Sequence, residues 1–241
     1  MIGPGSLPVP LPEPAPEDER RFERRLRDAA SGFPPERLTV RTLHGWPIGA
    51  ALERAAASAD LLVLGTHGYS GLDRLLLGSV AEAVVRSSPV PVLTVHASRS
   101  PLRAARVLAP WNGLPHATRA LRYASALARG LGAELRVLRV VPKGKPVASA
   151  APGLGRTLED VLGPAGPGRW SLRVRTGDAR EHIVREANSG RYGLVVLSAH
   201  RRPFSTDAVL GSAVERTMRH SRIPVLAVPS GRPSKIHRPA V

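Results

Sequence analysis

The sequence predicts an open α/β fold with parallel sheets, and three observations predict it. A gap-free internal repeat runs at an offset of 133 residues. Strand-length apolar runs alternate with segments of helical period. The runs near the end of each copy are apolar at every position, as strands covered on both faces are. Leu61–Val95 aligns on Leu194–Val228 with 14 of 35 positions identical, among them Leu64/Leu197, His67/His200, Gly78-Ser79/Gly211-Ser212, Glu82/Glu215 and Pro91-Val92-Leu93/Pro224-Val225-Leu226. That is a two-fold repeat of one unit, not a long solenoid.

The elements follow from periodicity. In the second copy Arg106–Pro110 reads as a strand, and His116–Arg129 as a helix with Ala120, Tyr123, Ala124 and Leu127 along one stripe. Glu134–Val141 is a strand, Ser171–Arg175 alternates apolar with polar residues, and Ala179–Asn188 is helical. Leu194–Leu197, a helix over Gly211–Arg219 and the strand Ile223–Val228 complete the copy. In the first copy Asp18–Ala30 predicts a charged helix with Phe22, Leu26, Ala29 and Phe33 on one stripe, Leu38–Thr42 a strand, and Pro47 a helix start. Leu61–Leu64, a helix from Gly78 and Val90–Val95 follow. Moving residues 106–141 back by 133 carries nearly all of them ahead of Met1, so the first copy is expected to lack its opening strand, helix and strand. Residues 1–17 are a Pro-rich extended segment, 18–98 the truncated first repeat, 99–230 the complete second repeat and 231–241 a basic tail. Lys143–Arg156, rich in Gly, Pro and Ala, is expected to be a loop.

Composition narrows the function classes. With no cysteine among 241 residues, disulfides, thiolate metal sites and cysteine nucleophiles are excluded. No apolar stretch approaches a membrane span and no signal-peptide pattern opens the chain, so a soluble cytoplasmic protein without a membrane partner is expected. The net charge of +16 is uneven: residues 1–98 carry −1 and residues 99–241 carry +17. Such a half suits an anionic partner, although an Arg-rich composition produces it too. Three each of Trp, Tyr and Phe leave little aromatic surface for stacking single strands, which argues against nucleic acid. Arg136, Arg139, Arg173 and Arg175 read as a basic stripe on a solvated sheet face. No His-Glu-x-x-His, Gly-x-Ser-x-Gly, Walker loop or Gly-x-Gly-x-x-Gly occurs, so no metal site and no catalytic residue is assigned.

One loop does carry chemistry. Gly65-Thr66-His67-Gly68, nine residues, then Gly78-Ser79 joins the end of a buried strand to the start of a helix. The glycines admit close approach of backbone to an anion, and the helix start offers free N–H groups and its positive dipole end. The same features also serve a plain turn and cap. In this setting, with Pro-Val-Pro-Val-Leu after the helix, the string Ala59–Val95 resembles the universal stress protein family, and the repeat resembles its tandem members. The resemblance covers roughly residues 18–96 and 103–230.

The resemblance implies two open five-stranded parallel sheets in the order 3-2-1-4-5, flavodoxin- or Rossmann-like and akin to the adenine nucleotide hydrolases. The first would lack its opening elements, and the two repeats would pair as an intramolecular pseudo-dimer through their last strands, with a homodimer as a further assembly. It implies ATP as ligand in one branch of the family, with or without magnesium. Carried onto this chain, it assigns Leu64, Gly65, Gly68, Gly78, Ser79 and Val80 to the nucleotide. A second candidate site in the other repeat comprises Pro110, Asn112, Val140, Arg201, Gly211 and Ser212. There Asn112 stands where the family has an aspartate, and Ser198 and Arg201 replace both early glycines. Trp111 either stacks on a base or fills the pocket, and His67 and His200 either touch phosphate or bond to backbone.

The expected function is thus an ATP-binding regulatory module of the stress response, with its phosphate loop in the first repeat and a degenerate second repeat. One rival is an interaction module whose basic half binds acidic proteins or nucleic acid. Another is a slow ATP hydrolase, for which Asp73 is the one acid in the loop.

Overall fold

Strands that are apolar at every position need cover on both faces, and this chain supplies it by layering helices on each side of a sheet. The computed structural model describes residues 15–43, 47–65, 78–96, 105–144, 153–166, 169–199 and 211–231. The chain divides into two units, residues 1–52 and 53–241.

In the first unit, α1 (Pro16–Ala29) starts two residues ahead of the expected Asp18 because Pro16, read from sequence as part of the extended segment, takes the first helical position. Glu17, Asp18 and Glu19 then lie at the positive end of the helix dipole. None of its residues is buried, so the stripe with Phe22 and Leu26 is on the surface. The expected strand at Leu38–Thr42 does not form; a single 3-10 turn, Pro35–Arg37, leads into extended backbone with no ladder partner among the described residues. A lone strand leaves its backbone groups to water and has nothing to hold it in register. The helix α2 (Ile48–Ala56) runs across the division between the units.

The second unit holds seven strands: β1 (Leu62–Gly65), β2 (Val92–Val95), β3 (Arg106–Pro110), β4 (Glu134–Val141), β5 (Trp170–Thr176), β6 (Leu194–Ala199) and β7 (Val225–Pro229). They form one sheet in the order β1-β2-β7-β6-β3-β4-β5. The second repeat alone reads β5-β4-β3-β6-β7, the expected 3-2-1-4-5, with all its strands parallel. The last strands of the repeats, expected to pair, join edge to edge with β2 antiparallel to β7, so in place of two five-stranded sheets there is one mixed sheet of seven described strands. Edge-to-edge pairing satisfies two rows of backbone groups that separate sheets would leave open.

The register of this seam is symmetric. Leu93 pairs with Leu226, its own repeat equivalent, while Val92 faces Ala227 and Thr94 faces Val225. A pseudo-two-fold axis therefore passes through the Leu93–Leu226 pair, as in an isologous dimer interface. The buried Thr94 hydroxyl donates to the Val225 carbonyl at 3.1 Å. On one face of the sheet lie α3 (Ser79–Ser87) and α7 (Ser212–His220), the equivalent helices of the two repeats. Arg219 links them, bonding Glu82 at 2.9 Å and its own Glu215 at 3.1 Å, and Glu82 also accepts from Arg86 at 3.0 Å.

The main core fills the space between the sheet and two helices, α4 (Pro115–Gly130) and α5 (Leu154–Leu162). Val107, Val137, Leu121, Ala124 and Leu158 are its fully buried centre. The last of these helices occupies part of the expected loop Lys143–Arg156. Gly153, at φ +95°, starts it from a left-handed conformation open to glycine. The opposite face is covered by α7 and by α6 (Ala179–Ala187).

The expected arginine stripe does not hold together. Arg136, Arg173 and Arg175 share the face covered by α6, where Arg173 and Arg175 meet the buried Glu186, whereas Arg139 lies on the other face against Trp111. Arg136 instead bonds Glu134. No described helix is long and apolar enough to cross a membrane.

Candidate functional site

The strand order reverses between β3 and β6, and in open parallel sheets the crevice at that switch point, outside the carboxyl ends of the strands, is where ligands bind. A pocket of ≈240 Å³ opens there. Its sheet side is built by Pro110 at the end of β3, Leu138 and Val140 of β4, and Leu197 and Ser198 of β6. Gly211 and Ser212, at the start of α7, close it from the other side.

Local structure fixes each wall. Past β3 the chain leaves the sheet through Trp111, whose N–H donates to the Leu138 carbonyl at 2.9 Å. The Trp111 ring is buried, its Nε1–H bonds the Thr118 hydroxyl at 3.0 Å, and the Arg139 guanidinium lies 5.9 Å from the ring centroid. Both the polar handle and one face of the indole are thus engaged, so Trp111 forms wall. Asn112 accepts a hydrogen bond from the Leu114 N–H at 3.0 Å, and this Asx turn starts α4. Its amide nitrogen is a donor, where the family's aspartate would present only acceptors.

The helix α6 adds Ala179 and Ile183 to the pocket. Its start is held by Asp178, which accepts the N–H groups of Arg180 and Glu181 and pairs with the Arg180 guanidinium at 2.6 Å. The Arg180 side chain is the main reason that this carboxyl lies well below the usual carboxylate range; desolvation opposes the effect and the backbone donors add to it. Gly177, at φ +139°, makes the turn before the cap, and a Cβ there would meet His182 Nε2 at 2.9 Å.

One feature of this pocket favours an anionic ligand. Gly211 caps α7 in extended geometry without a side-chain bond, so among the described residues no side chain takes the N–H groups of Ser212 and Ala213, which suit an anion. The Ser198 hydroxyl is buried and has no hydrogen-bond partner among the described residues. No carboxylate is among the described lining residues, and no cluster of three or more metal-ligating side chains occurs among the described residues.

Five of the second-repeat candidates therefore come together: Pro110, Asn112, Val140, Gly211 and Ser212. Ser198, which a reading for glycines treats as a loss, is among the lining residues, and its side chain alternates with Leu197 onto the face of Val196 that α4 covers. Arg201, His200, Gly68, His67 and Asp73 lie outside the described residues. In the first repeat Gly65 ends β1, Gly78 caps α3 in the same extended geometry as Gly211, and Ser79 opens that helix. Leu64 is half-buried, whereas Gly65, Ser79 and Val80 are exposed. No strand pairs with β1 on the side where β6 has β3, so among the described residues nothing faces this loop as Pro110 and Val140 face Gly211.

Comparison with known proteins agrees with this architecture. The family model described as universal stress protein family matches twice, at residues 4–96 and 104–229. A universal stress protein of Mycolicibacterium smegmatis is 28% identical over 211 residues, covering 79% of this chain and 69% of the relative. One from Methanocaldococcus jannaschii is 45% identical over 60 residues, which is 24% of this chain and 35% of that protein's length. Among solved structures, a universal stress protein from Archaeoglobus fulgidus superposes with a TM-score of 0.70 at 23% identity, over 89% of this chain and 80% of its own. With both repeats matched by the family model and the tandem fold shared, the chain belongs to the universal stress protein family.

Proposed function

We propose that this protein is a regulatory module of the stress response that binds an adenine nucleotide, ATP foremost, in the pocket of its second repeat, without turning it over. The observation that carries the reading is the pocket at the switch point, which brings Pro110, Asn112, Val140, Gly211 and Ser212 together at the carboxyl ends of the strands. The family pattern sets the base beside Val140, the sugar near Asn112 and the phosphates at Gly211 and Ser212, with Arg201 as a further cation for them. Hydrolysis needs a group to orient the attacking water, and the described lining offers no carboxylate for it.

In the first repeat, Leu64, Gly65, Gly68, Gly78, Ser79 and Val80 provide the phosphate half of such a site alone. A nucleotide held there is gripped by its phosphates and bound with little regard to its base. Titration of ATP and GTP, followed by calorimetry, separates the two loci. Because Gly211 and Gly78 have backbone angles open to any residue, Gly211→Val and Gly78→Val test occupancy without backbone strain. ATP is expected to bind more tightly than GTP, and Gly211→Val to weaken ATP at least about ten-fold, some 1.4 kcal/mol. Equal binding of both nucleotides, lost only with Gly78→Val, would place the ligand in the first repeat. An absence of nucleotide binding would remove the reading.

A further inference from the structure

A second cavity, larger than the nucleotide pocket, lies on the other side of α6. It is a trench of ≈620 Å³, bordered by Arg175, Arg185, Arg191 and Arg222, with Glu186 as its one lining carboxylate. An adjoining trench of ≈460 Å³ shares Arg185, Asn188 and Arg222 and continues the basic lining with Arg216, Arg219 and His220. The helix separates two environments: Ala179 and Ile183 face the nucleotide pocket, and His182 and Arg185 face the trench.

The charges are positioned rather than loose. Glu186, its side chain 7% exposed, is shared by Arg173 at 3.3 Å, Arg175 at 3.5 Å and Arg191 at 3.6 Å. One negative charge holds three guanidiniums, so the cluster keeps an excess of two positive charges. Asn188 clamps the far end: its Nδ2 donates to the His220 carbonyl at 2.8 Å and its Oδ1 accepts the Arg222 N–H at 2.7 Å. Arg185, Arg216 and Arg222 are exposed and have no carboxylate partner among the described residues. Glu181, at the edge of the adjoining trench, is the one acid its lining adds.

We propose that this trench binds a chain of linked phosphates without bases, that is, inorganic polyphosphate. Guanidinium forks match phosphate oxygens in pairs, and several along one groove match a linear polyanion better than a single ion. Nothing aromatic lines either trench except imidazole, so a nucleic-acid strand finds no platform for its bases. A concave trench also takes in a thin chain, whereas reading a duplex requires an element that enters a groove about 12 Å wide.

The test uses the full chain and two probes, tripolyphosphate and a long inorganic polyphosphate, titrated at several salt concentrations. It is run in wild type and in the Gly211→Val background, in which phosphate binding at the start of α7 is expected to be weakened. Binding is expected to survive Gly211→Val and to fall steeply with salt. For about four neutralised phosphates the slope of log K against log salt is roughly −3, taking the single-strand coefficient. The exposed pair Arg185→Ala/Arg222→Ala is expected to weaken binding at least ten-fold, and Arg185→Lys/Arg222→Lys to restore part of it. Arg20→Ala/Arg24→Ala on α1 is expected to leave it unchanged. Circular dichroism checks that each variant is folded. Indifference to the Arg185/Arg222 variants, loss of binding with Gly211→Val alone, or tighter binding of a single-stranded oligonucleotide of equal charge would overturn the proposal.

Discussion

Glu186 also shows what a single buried carboxylate does when its partners outnumber it. Beyond the three arginines it accepts the Tyr192 hydroxyl at 3.2 Å. The Tyr192 phenol titrates above its ordinary value of 10.0, first because it is buried and second because Glu186 disfavours a phenolate beside it. Glu186→Gln keeps the shape, removes the charge and leaves three guanidiniums to repel one another. Losing a partner of a fully buried pair costs about 3–5 kcal/mol, but these arginine ends reach water, so a loss of about 2 kcal/mol is expected in denaturant unfolding. The tyrosinate absorbance step assigned by comparison with Tyr192→Phe is expected to move to lower pH, while the part due to burial persists. An unchanged step would mean that Glu186 does not act on the phenol.

Among the elements, α6 forms a wall of both cavities, and its start depends on one cap. Asp178 has a folded-state pKa below its ordinary 3.8, so its contribution to stability is complete above that value and is lost as pH falls from 3.8 through the lower folded value. Thermal unfolding of Asp178→Asn against wild type is therefore expected to show its largest difference above about pH 4, narrowing as the pH is lowered toward 2. A difference that grows on acidification would contradict the cap. The helix was legible in the sequence, with Ile183 and Ala187 on one side, whereas the order of the five strands of its repeat came from the family resemblance. Less legible was α5. Leu154, Leu158, Val161 and Leu162 have helical spacing, but glycines and prolines on both sides mask the signal, and burial of Leu158 against the sheet is what overrides them. At Leu38–Thr42 the failure runs the other way: alternation is present, but a strand also needs a neighbour to bond, and periodicity does not report one. Of the candidate site, the resemblance named Pro110, Asn112, Val140, Gly211 and Ser212, and these line one pocket. The site was illegible at Leu138, Leu197 and Ile183, which only packing brings to the pocket.

For the whole second unit, the two repeats occupy unequal places in the sheet. β6 lies between β3 and β7 and is buried along nearly its whole length, whereas its repeat equivalent β1 ends the sheet with Val63 53% exposed. Native-state hydrogen exchange is expected to follow this difference. Amides of β6 should open only with global unfolding, and those of β1 through cheaper local opening at least a hundred-fold faster. Equal protection of the two strands would show that the outer edge of β1 is covered in solution.

The pairing of Leu93 with Leu226 has a consequence for how such a molecule is free to change. In an assembly of two identical chains, one substitution is written twice, and a residue on the axis meets its own copy, so the halves must keep the same sites. Joined in one chain, the halves are encoded separately, and Leu93 and Leu226 can be altered one at a time. The seam alone then ties them: Thr94 opposite Val225 and Glu82 opposite Arg219 must stay compatible, while every position away from it drifts alone. Covalent linkage thereby releases the obligation of symmetry. One half is able to keep the crevice at Pro110, Val140 and Gly211 while the other serves as the permanent neighbour of its last strand.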